Sequence, residues 1–147
     1  MMNKMRNKAN CIYPYVSSHQ TKMHDKKHQN IIELNNAERY DYLVRKVADF
    51  ETIFLIYGKF WQISTPNING IECIMVFPKK DFAQRHIKLE KSKYVKKKNL
   101  YKFINWLRRD KSDELNLAVF LNQKNEAKIV NSSELKNDLL KECKQNE

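Results

Sequence analysis

Glycine, proline and cysteine are scarce in this chain, and it contains no long apolar run. Its 147 residues include two glycines, three prolines and three cysteines. Two glycines leave no room for the glycine-rich loops that cradle phosphates, and no G-x-S-x-G turn presents a nucleophilic serine. The longest apolar run, residues 53–57, is far shorter than a membrane-spanning helix requires. These absences exclude the common phosphate-binding loops and predict no membrane span.

The three cysteines are Cys11, Cys73 and Cys143, and none of them forms a C-x-x-C pair. Because their number is odd and they lie far apart, reduced thiols explain them better than a disulfide framework. The basic N-terminal residues are not followed by an apolar segment, so we expect no secretory signal. We therefore predict a cytoplasmic protein with no membrane partner.

The chain is strongly basic, with a formal net charge of +11. A basic domain is typical of proteins that bind nucleic acid or another anionic surface. However, lysine outnumbers arginine 22 to 6, whereas proteins that read nucleic acid favour the planar fork of arginine. Lysine and asparagine, which occurs 16 times, both have A/T-rich codons. We favour nucleotide composition as the source of the charge and keep nucleic-acid binding as the alternative.

Residues 1–30 are predicted to be a basic, disordered N-terminal tail, and residues 31–147 a single globular domain. The tail holds six Lys or Arg and one acid, with no amphipathic period, so it cannot offset the entropy of ordering. Two alternatives remain: translation from Met23, or a basic arm that contacts a partner. His19, His24 and His28 have no regularly spaced acidic or cysteine partners, so we predict no metal site there.

The pattern of apolar residues in the rest of the chain predicts an α+β fold. Asn35 and Glu38 have the spacing of a capping box, and an apolar stripe from Tyr40 to Phe50 follows them. The elements are grouped rather than strictly alternating, which favours a small, mostly antiparallel sheet of about five strands packed with about four helices. Strands are predicted at 53–57, 60–65, 71–77, 115–121 and 127–130, helices at 79–90, from Asn99 and after Asn131, and a short extended piece at Tyr94 and Val95.

No constellation of side chains predicts catalysis. Asp49 and Glu51 are two residues apart and do not share a helical face. Cys73 lies in the middle of an apolar strand, and His86 lies in the inward register of a helix, so both are interpreted as core residues. We predict no catalytic, cofactor or metal site and favour a protein that is not an enzyme.

The positive charge is concentrated in residues 79–111, from Lys79 to Lys111. This region holds thirteen Lys or Arg and three acids. Lys93, Lys96, Lys97 and Lys98 surround Tyr94, so the lysines could bind phosphates while the ring stacks on a base. The alternative, which the usual behaviour of charge runs favours, is a solvated lysine-rich loop.

An ordered set of residues along 34–140 resembles a family of small bacterial proteins, domain of unknown function 2750. The resemblance covers most of the chain outside the tail and departs from the family after Pro78, where lysines replace acids and a tryptophan. It implies a compact domain without an assigned activity, in which Arg39, Tyr40, Trp61 and Trp106 are candidates for a shared site. The matching residues include Glu38, Arg39, Tyr40, Trp61, Phe77, Pro78, Phe103, Trp106, Phe120 and Leu135.

These observations predict a small, cytoplasmic, non-catalytic interaction protein, with a regulatory or toxin-neutralising role by analogy. The alternative is a nucleic-acid-associated protein that uses the basic region 79–111. The expected partner is another protein, or nucleic acid in the alternative, and no cofactor is expected. The candidate binding surface consists of Arg39, Tyr40, Trp61, Lys93, Tyr94, Lys96, Lys97, Lys98 and Trp106.

Overall fold

The computed structural model describes residues 18–88, 90–109 and 115–145, with side chains from residue 25 onward. The chain separates into two units, residues 1–33 and 34–147. The described part of the first unit is helix α1, Ser18–Ile32. This helix was not predicted, because its sequence has no apolar stripe. Residues 1–17 of the predicted tail, and the side chains of His19 and His24, lie outside the described residues.

The second unit has the α+β organisation that the sequence predicts. With α1, the described residues form five helices and six strands, slightly more than expected. The elements of the second unit are α2 (Asn36–Phe50), β1 (Thr52–Tyr57), a single 3₁₀ turn (Lys59–Trp61), β2 (Asn67–Ile68), β3 (Ile71–Phe77), α3 (Lys80–Ile87), β4 (Tyr94–Asn99), α4 (Leu100–Arg109), β5 (Asn116–Val119), β6 (Lys128–Asn131) and α5 (Ser132–Gln145).

The strands form one mostly antiparallel sheet in the order β4-β1-β3-β5-β6, with β2 paired to β3. β1 lies between β4 and β3 and is antiparallel to both. The β3–β5 pair is parallel, with Cys73 opposite Asn116 and Val76 opposite Val119. The chain between β3 and β5 passes through α3, β4 and α4, which supplies the long connection that a parallel pair requires. Among the described strands, β4 and β6 are the two edges.

The strand predicted over residues 60–65 is not formed. Only Ile63 makes an isolated bridge, to Tyr57, and Lys59–Trp61 is a tight turn. The physical reason is that β3 and β4 occupy both sides of β1, so a hairpin partner has no free edge to pair with. The prediction of a strand at residues 60–65 was therefore wrong.

Helix α2 begins where the sequence predicts. The Asn35 side chain accepts a hydrogen bond from the Glu38 N–H at 2.8 Å, and the Glu38 carboxylate accepts one from the Asn35 N–H at 3.1 Å. This reciprocal capping box satisfies two N–H groups that the helix cannot pair itself. The stripe that contains Leu43 and Val47 is buried as predicted, but Phe50 at its end is 59% exposed.

Three of the four lysines that were interpreted as a solvated loop, Lys96, Lys97 and Lys98, lie on a strand, and Lys93 precedes it. β4 runs from Tyr94 to Asn99, well beyond the short extended piece predicted at its start. Asn99 ends the strand and caps α4, as predicted: its side-chain oxygen accepts hydrogen bonds from the N–H groups of Tyr101 at 2.9 Å and Lys102 at 3.2 Å. The capped helix buries Leu100, Phe103, Ile104 and Leu107, and this packing joins β4 to the core.

Candidate interaction surface

Two neighbouring aromatic side chains project from the turn after β1. Phe60 is 86% exposed and Trp61 is 79% exposed. Both have a left-handed backbone, with φ of 60° and 61°, and the Gln62 N–H closes the turn on the Lys59 carbonyl at 3.3 Å. Two consecutive positive φ angles define a type of tight turn that normally takes Asn, Asp or Gly. A bulky residue in this conformation costs about 1–2 kcal/mol, so the turn exposes its two rings at the expense of stability.

Three aromatic rings form a row in which each ring contacts the next, and Trp61 lies at the exposed end of the row. Trp61 packs edge-on against Tyr94, with ring centroids 5.8 Å apart, and Tyr94 packs against Tyr57 at 5.7 Å. Tyr57, at the end of β1, is directly opposite Tyr94 at the start of β4. The sequence singled out Trp61 and Tyr94 but not Tyr57, because only the β1–β4 register brings Tyr57 to this position.

Two lysines of β4 lie over the ring of Tyr57. The Nζ atoms of Lys96 and Lys98 are 5.0 Å and 5.8 Å from the ring centroid. Alternation along the strand places both lysines on the same face as Tyr94. Among the described residues no carboxylate lies within ion-pair distance of either Nζ atom, in contrast to Lys93 and Lys128, which pair with Glu90 and Glu134. The ring attracts each cation by roughly 0.5–1 kcal/mol at an exposed site, but it leaves their charges without a counterion.

These residues form one continuous feature, which we call the aromatic–lysine surface. It combines exposed rings at a turn with two cations on an edge strand. Four of its members were predicted as candidate binding residues, and Tyr57 and Phe60 were not. The surface consists of Phe60, Trp61, Tyr94, Lys96 and Lys98 together with Tyr57, whose ring is buried beneath the others.

Three other candidate residues lie outside this surface. Lys93 makes an ion pair with Glu90, with Nζ 3.7 Å from the carboxylate. Lys97 lies on the opposite face of β4 by strand alternation. Trp106 is half-buried on α4, where its ring centroid is 5.8 Å from that of Phe103. The structure therefore does not bring the whole lysine cluster and Trp106 together.

Arg39 is not on a surface, because it is only 1% exposed. Its Nε donates to the Phe120 carbonyl and one terminal nitrogen donates to the Glu126 carbonyl, both at 2.9 Å. Further donations go to the Leu34 carbonyl and the Asn36 side chain. Burial lowers the pKa of Arg39, and the charge of Glu126 opposes that shift. The guanidinium thus joins the start of α2 to the segment between β5 and β6, which is a structural role.

Tyr40 is also buried, and its hydroxyl donates to the carboxylate of Asp138 on α5. Burial, followed by the hydrogen bond to Asp138, raises the pKa of Tyr40. The Nζ atom of Lys128 is 4.3 Å from the ring centroid. Tyr40 is therefore held in place by α5 and β6, away from the residues of the aromatic–lysine surface. It lines a cavity of about 480 Å³ with Asp41, Val44, Arg45, Lys128, Asp138, Lys141, Glu142 and Gln145.

The comparison with known families settles what kind of chain this is. The family model described as "Protein of unknown function (DUF2750)" matches residues 40–139. The chain belongs to the DUF2750 family. This confirms the resemblance drawn from the sequence, over a slightly narrower range. No curated protein and no solved structure matches the chain.

The DUF2750 match runs from Tyr40 in α2 to Leu139 in α5. It includes every residue of the aromatic–lysine surface and leaves out α1. The family description assigns no activity, so the function of this DUF2750 protein has to be argued from its own side chains.

Two further findings concern the described part of this DUF2750 protein. None of its described helices is long and apolar enough to cross a membrane. Within the same residues, no group of three or more His, Cys, Asp or Glu side chains is arranged to hold a metal ion.

Proposed function

We propose that this DUF2750 protein is a non-catalytic binding protein whose aromatic–lysine surface receives a protein partner. The observation that carries the proposal is the pair Phe60 and Trp61, exposed at 86% and 79% on a left-handed turn. Conformational strain of this kind clusters at functional sites, where it persists because the function requires it. Exposed aromatic residues are also the commonest energetic centres of protein interfaces.

The surroundings of these rings support an interface. Tyr94, which itself packs against Tyr57, holds Trp61 from one side, so part of the platform is already ordered before a partner arrives. An ordered platform reduces the entropy lost on binding. Lys96 and Lys98 lie beside it as a polar, solvated border. An apolar centre with a charged rim is the usual anatomy of a protein–protein interface.

Cysteine chemistry supports a binding role over thiol catalysis. Cys73 is buried in β3, and burial raises the pKa of its thiol. A reactive cysteine requires the opposite shift, because the thiolate is the nucleophile. Within the described residues, neither Cys73 nor Cys143 is part of a disulfide, which supports a cytoplasmic location as part of the proposal. A regulatory role, such as neutralising a toxin, would use the same surface.

Capture of partners from the native cytoplasm by matched variants tests the proposal. The parent protein is immobilised beside F60A/W61A and beside Tyr101→Ala, which removes a 49% exposed ring from α4. We expect at least one protein to bind the parent and Tyr101→Ala equally and to be lost from F60A/W61A. Identical sets of retained proteins on all three would contradict the proposal, provided that circular dichroism shows all three proteins to be folded under the capture conditions.

Nucleic-acid binding is a second candidate, favoured by the unpaired cations of Lys96 and Lys98 beside exposed rings. Single-stranded nucleic acid binds to such combinations through phosphate contacts and base stacking. Binding of mixed-sequence RNA or DNA should then weaken steeply with salt, and K96Q/K98Q should flatten the slope of log affinity against log salt by about 0.7–0.9 per lost contact. A slope that is unchanged in the variant would exclude these lysines as phosphate contacts.

A further inference from the structure

We infer that β4 binds an extended, acidic segment of the partner as an additional strand of the sheet, with an aromatic residue and two acids at alternate positions. The inference rests on the proposed function and specifies the chemistry of the partner. Three observations carry it: the position of β4 in the sheet, the charge of β4, and the order of side chains along one of its faces.

The first observation is that β4 is an edge strand. It is the last strand in the sheet order, and in the described part of the chain its inter-strand partner is β1 alone. In an antiparallel pair, the N–H and C=O groups of alternate residues point away from the partner strand. About three of the six residues of β4 therefore direct backbone groups outward. Such a row is a template for an incoming strand, which gains main-chain hydrogen bonds on binding.

The second observation is the sign of the charge on this edge. Lys96, Lys97 and Lys98 are consecutive on β4, and among the described residues none of the three is within ion-pair distance of a carboxylate. Two copies of β4 placed edge to edge would oppose lysine to lysine, and like charges directly opposite destabilise a strand pair. Lysines on an edge thus prevent association of identical copies. The same lysines attract a strand that carries acids.

The third observation is the order of side chains on the face shared with Trp61. Tyr94, Lys96 and Lys98 follow one another at every second position, and Trp61 contacts Tyr94. In a paired strand, the residue opposite Tyr94 meets the aromatic rings. The residues two and four positions further along meet the two cations. The partner segment therefore has the pattern aromatic–x–acid–x–acid, or its reverse, depending on the direction of pairing.

A peptide fits this edge better than a nucleic acid. The outward groups of a strand are both N–H donors and C=O acceptors, and a peptide backbone offers the matching acceptors and donors. A phosphodiester backbone offers acceptors only, so it would leave the outward carbonyls without partners. Acidic side chains on a strand also place single negative charges at the two-residue spacing of Lys96 and Lys98.

Binding of defined peptides to the full-length protein tests the inference. Fluorescent peptides with Trp-Ser-Glu-Thr-Glu or the reverse order Glu-Thr-Glu-Ser-Trp at their centre cover both directions of pairing. Each is compared with its shifted form, Trp-Glu-Ser-Glu-Thr or Thr-Glu-Ser-Glu-Trp, in which the acids move by one position to the other face. Because the shifted acids keep only Lys97 as a partner on the other face, one cross-strand charge pair is lost, and we expect the shifted peptide to bind about two- to fivefold more weakly. The variant K96Q/K98Q should lose this preference. The variant K124Q/K144Q makes the same charge change at exposed sites outside β4 and should keep it.

N-methylation of the peptide backbone gives a readout that side-chain recognition alone would not produce. Two peptides are methylated at alternate residues in opposite phases. In a strand pair, one phase blocks the hydrogen bonds to β4, and the other phase faces solvent. We expect one phase to reduce affinity about tenfold or more, the loss of roughly one or two main-chain hydrogen bonds, and the other to retain binding.

Each contrary result has a distinct meaning. Equal effects of the two methylation phases would contradict strand addition, and equal binding of the two acid registers would contradict the pattern. Binding of single-stranded RNA that displaces the peptide at lower concentration would overturn the inference in favour of nucleic acid. Absence of peptide binding would overturn it while leaving the proposed function intact, if capture of a protein still depends on Phe60 and Trp61. Loss of that dependence would refute the proposed function itself.

Discussion

Replacing Phe60 with Asn should make the protein more stable, and this increase measures the strain that the exposed turn stores. Phe60 is 86% exposed, so the substitution removes little buried apolar surface. Its backbone has φ of 60°, a conformation that costs a bulky residue about 1–2 kcal/mol and that Asn adopts more readily. Recovering part of this cost gives an expected gain of about 1 kcal/mol in the free energy of unfolding.

Urea unfolding followed by circular dichroism measures this gain as a higher midpoint with an unchanged slope. In a thermal scan, the same gain corresponds to about 2–4 °C for a chain of this size. Phe60→Ala is the matched control, because it removes the ring but keeps an ordinary residue at positive φ, and it should stay near the parent. Phe60→Asn should also bind the captured partner less well, although it is the more stable protein.

Trp61 provides a less direct measure of the same strain. Trp61→Gly relieves about 1–2 kcal/mol of backbone strain. It also removes the edge contact with Tyr94, worth about 0.5–1.5 kcal/mol, and the added freedom of glycine in the unfolded chain costs a further 0.5–1 kcal/mol or so. These contributions nearly cancel, so Phe60 is the better position. A loss of more than about 1 kcal/mol in Phe60→Asn would refute the reasoning, because it would show that the Phe60 ring packs.

Three further predictions concern the buried part of the domain. Arg39→Lys should lower the free energy of unfolding, measured by urea denaturation, by at least about 2 kcal/mol, since an ammonium cannot reach the carbonyls of Phe120 and Glu126 together. An unchanged free energy of unfolding would show that water replaces the guanidinium. Burial, followed by the charges of Lys93 and Lys88, lowers the pKa of His86 below 6.5, so the unfolded chain binds the proton more tightly. The free energy of unfolding should have its full value above pH 6.5 and should fall as the pH drops below 6.5, by at most about 1.4 kcal/mol per pH unit. His86→Gln should remove this pH dependence. Phe103→Ala should cost about 3–5 kcal/mol, and Trp106→Ala clearly less, because Trp106 is only half-buried; equal losses in urea would contradict this ranking.

The helices show how far local sequence signals reach. The capping box of Asn35 and Glu38 and the Asn99 cap of α4 were predicted correctly, because each depends on residues within one turn. The helix predicted from Asn99 is α4, and its buried residues Leu100, Phe103, Ile104 and Leu107 recur at helical spacing. Helix α1 was missed because a helix without an apolar stripe has no such signal.

The sheet shows where local signals fail. The side chains of residues 60–65 alternate in character as they do in a strand, yet the segment begins with two exposed aromatic residues in a turn. The positive φ angles of Phe60 and Trp61 contradict residue preference, so the sequence could not reveal them. The parallel pairing of β3 with β5 joins distant parts of the chain, and no local pattern specifies it.

The binding surface was predicted in part, for the same physical reasons. Trp61 was selected through the family resemblance, and Tyr94, Lys96 and Lys98 were selected because basic residues cluster around an aromatic ring in the sequence. Tyr57 joins them only through the β1–β4 register.

Arg39 shows how a binding residue predicted from the sequence can turn out to be a structural one. Arg39 was a candidate because it is among the residues that match the family, but its guanidinium is buried and donates hydrogen bonds to the Phe120 and Glu126 carbonyls, 81 and 87 residues away in sequence. Residue type alone does not distinguish a binding arginine from a structural one.

Site-specific photo-crosslinking tests the central claim most directly. A benzoylphenylalanine residue is introduced in place of Phe60 in one variant and in place of Tyr101 in another, and each is irradiated in living cells. The aromatic–lysine surface predicts a discrete protein adduct from position 60 and none from position 101, although both side chains are exposed. The same adducts from both positions, or adducts from position 60 that disappear on ribonuclease treatment, would contradict the claim that this surface binds a protein.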